Sequence, residues 1–314
     1  MRACVDIGGT KVAVSLAADG ASLDGGPRPL LGRRHEPTAK TGDNLAVARQ
    51  ILRMVDEVCA DQQIDPSTVR RAGVSSAGPF VLNGGAIELA TPNICGGLAG
   101  PARGLPNDWM TAPVQAPLAA RFDEVRVEND AVGALEAERR WGALKGVDSC
   151  AYVTWSTGIG VGLCVDGHVL HGKNGNAGHA GHTFVVDDDS DALCGCGNVG
   201  DVEGLIAGNA IARRFKRPAE DLFAAAMAGD AAALARVDAL CRVMGRTLYN
   251  LIVTLDLERI SLGGSVFGNN RELLLPRLQS EIEGKLPSLT RGVTLVAAGL
   301  GDKVGDYAAL ALLD

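Results

Sequence analysis

Apolar positions along this chain switch between two periods. The runs "RACVDIG" (2–8) and "KVAVSLA" (11–17) are short and apolar, and the second alternates Val12, Val14 and Leu16, which is the period-two pattern of a strand. Gly8 and Gly9 separate them. From Asp43 to Gln62 the period lengthens, with Leu45, Ala48, Ile51, Leu52, Val55, Val58 and Cys59 at helical spacing. "RAGVSSAG" (71–78) returns to strand, while "DGASLDGG" (19–26) predicts turns. The Pro- and Gly-rich stretch 91–117 predicts a long loop of the kind that often carries function. "EVRVEND" (124–130) predicts a strand running into a helix, "AVGALEAERRWGAL" (131–144), with Asn129 or Asp130 at its start. "SCAYVTWSTG" (149–158) and "VGLCVDGHVLHG" (161–172) predict further strands, the second turning at Asp166-Gly167. Helices are expected near 201–214, 229–254 and 270–286, strands at "RISLGG" (259–264) and "VTLVAAG" (293–299), and a last helix at "DKVGDYAALALL" (302–313). Strands and helices mix throughout, so the expected class is α/β. Strand, glycine turn, strand occurs at 2–17 and again at 150–165, which points to two related halves.

Composition narrows the functional classes. With 314 residues and 46% apolar content, the chain can bury a sizeable core in one large domain or two. A net charge of −7 without a dense basic run argues against nucleic acid as a partner. Nothing approaches the uninterrupted apolar length of a membrane span. "MRACVDIGGT" has no apolar segment of the signal-peptide kind, and the eight cysteines follow no framework of spacings, so reduced thiols in a cytoplasmic protein are expected.

Two glycine turns, "DIGGTK" (6–11) and "STGIGVG" (156–162), have the make-up of phosphate cradles. Consecutive backbone N–H groups can face an anion where no Cβ blocks approach. Both turns open into strands. A dinucleotide fingerprint or a P-loop would open into a helix, so neither motif applies. A ligand-free β-hairpin is the plain alternative for each turn alone. Two such turns, the first beginning at Asp6, favour phosphate, with Asp6 holding Mg²⁺ directly or through water. At the strand-to-helix junction, Asn129 and Asp130 can serve as a helix cap. Alternatively, Asp130 can act as a general base toward an attacking hydroxyl.

Together, "DIGGTK", "ENDA", "STGIGVGLCVDGHVLHGKNGNAGHAGH" and "CGCGNVGDVE", in this order over nearly the whole chain, resemble the ROK family of sugar kinases. The resemblance implies a two-domain actin-like ATPase fold of ribonuclease H-like type, with ATP in an interdomain cleft. The expected domains are 1–121 plus 301–314, and 122–300. Some members are repressors with an N-terminal helix-turn-helix; this chain, opening on its first strand, resembles the kinases. By resemblance, Gly8, Gly9, Thr10 and Lys11 form the first phosphate turn, and Thr157, Gly158 and Gly160 the second. Gly263 and Gly264 of "LGGSV" lie on the adenosine side. Asp130 is the catalytic base, and Asn129, Asn93, His182 and Glu203 contact the sugar. ATP and sugar are the implied partners, in a homodimer or homotetramer.

Two positions depart from the family pattern of Glu-x-Gly-His followed by Cys-x-Cys-Gly-x-x-Gly-Cys-x-Glu. His179 stands in place of the first Glu, and Asp201 in place of the third Cys. His182, Cys194 and Cys196 remain plausible zinc ligands, and an aspartate oxygen is a legitimate fourth. The expectation is a structural zinc held by His182, Cys194, Cys196 and Asp201. A metal-free loop and a three-ligand site completed by water are the alternatives, and a redox pair ranks last. His179 offers one acceptor and one donor where glutamate offers two acceptors, so recognition at the C1–C2 edge of the sugar should change. The expected activity is phosphorylation of a glucose-like hexose at its 6-hydroxyl. The alternatives are an N-acetylhexosamine kinase and a catalytically weak sugar-binding regulator.

Overall fold

The alternation at the start of the chain forms the hairpin it predicts: β1 (Arg2–Ile7) and β2 (Lys11–Ala17) pair antiparallel around the glycine turn. The computed structural model describes residues 1–20, 25–99, 104–187 and 191–314. Parts of the turn expected at 19–26 and of the loop expected at 91–117 lie outside the described residues. Two compact units are present.

The first unit comprises Met1–Ala137, His171–Ala177 and Gly305–Asp314. Its strands continue as β3 (Leu31–Pro37), β4 (Arg71–Ser76), β5 (Phe80–Asn83), β6 (Ala86–Leu89), β7 (Ala112–Pro113) and β8 (Glu124–Asn129). Five of them form one sheet in the order β3-β2-β1-β4-β8, and β5-β6-β7 form a small second sheet. β1, β4 and β8 run parallel, with Ile7 opposite Ser76 and Ser76 opposite Asn129. On one face, Ala3, Val5, Ile7, Val12 and Val14 bury against Ile51, Met54, Val55 and Val58 of the helix Ala46–Asp61. The final helix, Val304–Ala311, lies directly on β4: a Cβ at Gly73 would stand 2.1 Å from the Ala309 carbonyl oxygen. β3 was not foreseen, because "LGRRHEP" carries charge where the pattern looks for apolar residues. It is an edge strand, where such charges suit the open side of a sheet.

The second unit comprises Glu138–Leu170 and Gly178–Val304. Its strands are β9 (Cys150–Trp155), β10 (Ile159–Val165), β11 (His168–Val169), β12 (Arg259–Gly263) and β13 (Thr294–Ala297). The order is β11-β10-β9-β12-β13, with two antiparallel pairs followed by two parallel ones. This is the topology of the first unit's large sheet, so the repeat seen at 2–17 and 150–165 extends to whole sheets. Its helices bury Val237, Leu240, Met244 and Leu248 of Ala231–Leu255 with Leu274 and Leu278 of Arg271–Ile282. The helix expected at 201–214 is two, Val202–Ile206 and Gly208–Phe215, because Ala207 is extended at ψ 156°. Glu138 is fully buried, and its carboxylate accepts from the Ala143, Gly299 and Leu300 N–H groups and the Ser261 hydroxyl. It thereby ties the end of β13 to the helix Asp130–Trp141.

The boundary expected at 121 falls before β8. Pairing of β8 with β4 carries the first unit on to Ala137, and the C-terminal piece begins at Gly305 rather than 301. Residues 171–177 also belong to the first unit. The Asn176 side chain accepts from the Phe80 N–H and donates to the Phe80 carbonyl, both at 2.8 Å.

Candidate active site

In the first unit, the register sets the site. Ile7, Ser76 and Asn129 are level, so the turn after β1 and the helix start after β8 emerge at the same edge, the carboxyl ends of the parallel strands. Ligands of α/β sheets bind at such edges. In the turn, the Gly8 N–H donates to the Lys11 carbonyl at 2.8 Å. Thr38 staples it from β3's end, donating its hydroxyl to Gly8 O at 2.7 Å and its N–H to Thr10 O. Asn93 stands against the turn: a Cβ on Gly9 would come within 2.7 Å of the Asn93 Cβ. The structure thus brings Asn93 to the first turn, and Thr38 is a support that nothing in its sequence context marked.

Asp6 ends the face of β1 that also carries Cys4, beside a small cavity lined by Ala13, Ser15, Arg33 and Asp306. Burial pushes its carboxyl up to about 6, against the charges of Lys11 and Arg33, while Asp306 adds to the rise. A partly buried carboxylate of this kind fits a hard cation, whose charge would offset the desolvation. At the β8 edge, Asn129 is buried, and the Ala131 N–H donates both to Asn129 Oδ1 at 3.0 Å and to Asp130 Oδ1 at 2.9 Å, so both side chains serve the helix start. Asp130 is exposed at the first helical position.

The second unit carries the other residues. Thr157 and Gly158 form the turn between β9 and β10, closed by the Ser156 N–H to Gly158 O at 3.0 Å. Gly160, expected in the turn, is a strand residue paired with Thr154, because β10 begins already at Ile159. Gly263 and Gly264 are packed on β9: Cβ atoms there would lie 2.3 Å from the Tyr152 hydroxyl and 2.5 Å from Trp155 O. Gly264 also has φ +87°, which favours glycine.

The backbone that carries the two histidines packs closely against β10. Gly178 and Gly181 make this possible, since Cβ atoms there would meet Val161 O at 2.0 Å and Ile159 O at 2.5 Å. His179 and His182 then bracket a 3₁₀ turn, with ring centroids 6.0 Å apart. His182 joins Cys194, Cys196 and Asp201, whose ligating atoms all lie within 4.8 Å of one another. His182 Nδ1 is 3.1 Å from Asp201 Oδ2 and 3.6 Å from Cys194 Sγ, and the Cys196 thiol donates to Asp201 Oδ2 at 3.3 Å. Asp201 is fully buried. Burial alone would raise its carboxyl, but hydrogen bonds from His182, the Gly204 N–H and both thiols hold it below the usual range. The bond to Asp201 raises His182 despite its partial burial, and burial pushes the Cys194 thiol up. A metal would displace these protons. Two sulfurs, one nitrogen and one oxygen are a donor set suited to tetrahedral zinc. Glu203 lies beside the cluster, its Oε2 accepting the Ile159 N–H at 2.9 Å. Among the described residues no helix is long and apolar enough to cross a membrane.

A family model described as "ROK family" matches residues 2–314. The glucokinase of Aeropyrum pernix is 28% identical over 98% of this chain and 95% of its own length. The N-acetylmannosamine kinase of Yersinia pestis is 31% identical over 83% of this chain and 82% of its own. The crystal structure of a ROK family glucokinase from Streptomyces griseus in complex with glucose and AMPPNP superposes with a TM-score of 0.71 at 26% identity, covering 98% of this chain and 97% of that one. The fold is accordingly the two-domain α/β type of the actin-like ATPases.

Proposed function

The chain belongs to the ROK family, and on that premise we propose that it transfers the terminal phosphoryl group of ATP to the 6-hydroxyl of a glucose-like hexose. The observation that carries the reading is the register of β1, β4 and β8, which brings the first glycine turn and Asp130 to one sheet edge. Asp130 takes the proton of the 6-hydroxyl as its oxygen bonds to the γ-phosphorus and the bond to the bridging oxygen of ADP breaks. Residues 8–11 and the turn at Thr157 and Gly158 hold the phosphates through backbone N–H groups, and the backbone at Gly263 and Gly264, packed closely on β9, lies on the adenosine side. Asp6 would hold Mg²⁺, whose charge would offset that of the phosphates. Asn129, Asn93, His179, His182 and Glu203 contact the sugar, and His182, Cys194, Cys196 and Asp201 would hold a zinc ion that would fix the orientation of the His182 imidazole.

Asp130→Asn tests the base. Phosphoryl transfer should fall by about 10²–10⁴-fold while sugar affinity and melting temperature stay near wild type. Unchanged turnover would remove Asp130 from the role.

A second reading is an N-acetylhexosamine kinase. His179 supports it, since a donor replaces an acceptor where a sugar's C1–C2 edge is read, and so does the similarity to N-acetylmannosamine kinases. Coupled ADP-release assays over glucose, mannose, N-acetylglucosamine and N-acetylmannosamine decide between the two.

A further inference from the structure

The ligand cluster and the second glycine turn share one side chain. Glu203 sits in the short helix Val202–Ile206. Its Oε2 accepts the N–H of Ile159, the first residue after the turn, at 2.9 Å; its Oε1 accepts the Cys194 thiol at 3.5 Å, a bond that a metal-bound thiolate would not make, which leaves Asp201 as the link between cluster and helix. Gly158 makes the reach possible, because a Cβ there would stand 2.7 Å from Oε2. The chain leaving that helix bonds the same turn, the Gly208 N–H donating to Ser156 O at 2.8 Å.

Asp201 sets where Glu203 stands. Its Oδ1 accepts the Gly204 N–H at 2.7 Å and so caps Glu203's helix, while Oδ2 faces His182 and Cys196. The cysteine of the family pattern could ligate a metal but has no second oxygen with which to cap. In this chain, therefore, the residue that completes the cluster also orients the helix that braces the turn.

We propose that Glu203 is a positioning residue for the second glycine turn, and that the cluster, through Asp201, fixes its place. This rests on reading the turn as a phosphate cradle and the cluster as a zinc site. The consequence is linkage: zinc occupancy strengthens nucleotide binding, and bound nucleotide strengthens zinc binding by the same factor.

The test uses the full chain, zinc-loaded or chelator-stripped, titrated calorimetrically with a non-hydrolysable ATP analogue and Mg²⁺, with zinc content and melting temperature measured on each sample. Stripping wild type should weaken analogue binding by about five- to tenfold. Glu203→Ala should cost a similar factor and abolish the further effect of stripping, since the two act through one contact. Glu203→Gln, which keeps an oxygen for the Ile159 N–H, should stay within about threefold of wild type. Asp201→Cys should still bind zinc but lose the dependence of nucleotide affinity on it. The brace falls if Glu203→Ala, at an unchanged melting temperature, binds the analogue as wild type does. The coupling falls if stripping and Glu203→Ala act additively, or if zinc-loaded wild type holds no zinc. If wild type binds no analogue at all, the kinase reading itself falls.

Discussion

At the scale of single residues, His179 and Asp201 separate this chain from the pattern it otherwise follows. The glycines flanking the His179 segment, Gly178 and Gly181, pack closely on β10, so the backbone there is fixed and the side chain can be changed in place. His179→Glu should restore two acceptors toward a sugar. A hydrogen bond to a charged group contributes about 1.5–3 kcal/mol, so kcat/KM for glucose relative to N-acetylmannosamine should rise by about 10–100-fold. No change in that ratio would take His179 out of sugar recognition. The identities of these residues were legible in the sequence because each occupies a motif position. What the sequence withheld was their secondary work. The reach of Glu203 to Ile159 joins segments 44 residues apart, and no local spacing encodes it; the cap that Asp201 gives to Gly204 spans three residues, an ordinary N-cap spacing that the ligand reading of Asp201 passed over.

At the scale of elements, apolar periodicity revealed the strands of both sheet centres and the long helices, since those segments bury one face. It failed for β3 and for the small sheet β5-β6-β7, where short or charged strands gain their stability from neighbours. It also missed residues 171–177, a glycine-rich segment without periodicity that the first unit holds by side chains. Asn176 supplies two hydrogen bonds to Phe80, so Asn176→Ala should cost about 1–3 kcal/mol in urea denaturation. A shift within error would show that the segment is held by other contacts. The same segment carries a pH dependence. His171 bonds Glu128 at 3.2 Å, and that bond raises its pKa against partial burial, with the charges of Glu128 and Glu136 adding to the rise. A histidine raised in the folded state stabilises fully below its unfolded pKa of about 6.5, and the gain disappears as pH rises through the folded value. The side chain is 51% exposed, so the effect is small. Wild type should melt about 1–2 °C above His171→Gln at pH 5.5 and level with it above pH 8. A gap that widens with pH would reverse the assignment.

At the scale of the whole molecule, one topology occurs twice, and each copy has its own hydrophobic core. The repeat was legible because the glycine turn after the first strand is locally encoded in both halves. The unit boundary was not, because β8 joins its sheet through a parallel pairing with β4, some fifty residues earlier in the chain. The candidate site residues divide along the same line. Asp6, the first turn, Asn93, Asn129 and Asp130 belong to the first unit, whereas the second turn, the two histidines, the ligand cluster and Glu203 belong to the second. Metal removal should therefore act on one unit. If zinc binds the native cluster and not the unfolded chain, it stabilises the unit that contains it by mass action. Hydrogen exchange read by mass spectrometry should show faster exchange after chelation in peptides from 178–187 and 191–208. Peptides from β1, β4 and the helix Ala46–Asp61 should be unchanged, because no ligand of the cluster belongs to the first unit. Equal acceleration in both sets would mean that the units unfold together and that the cluster stabilises the chain as a whole.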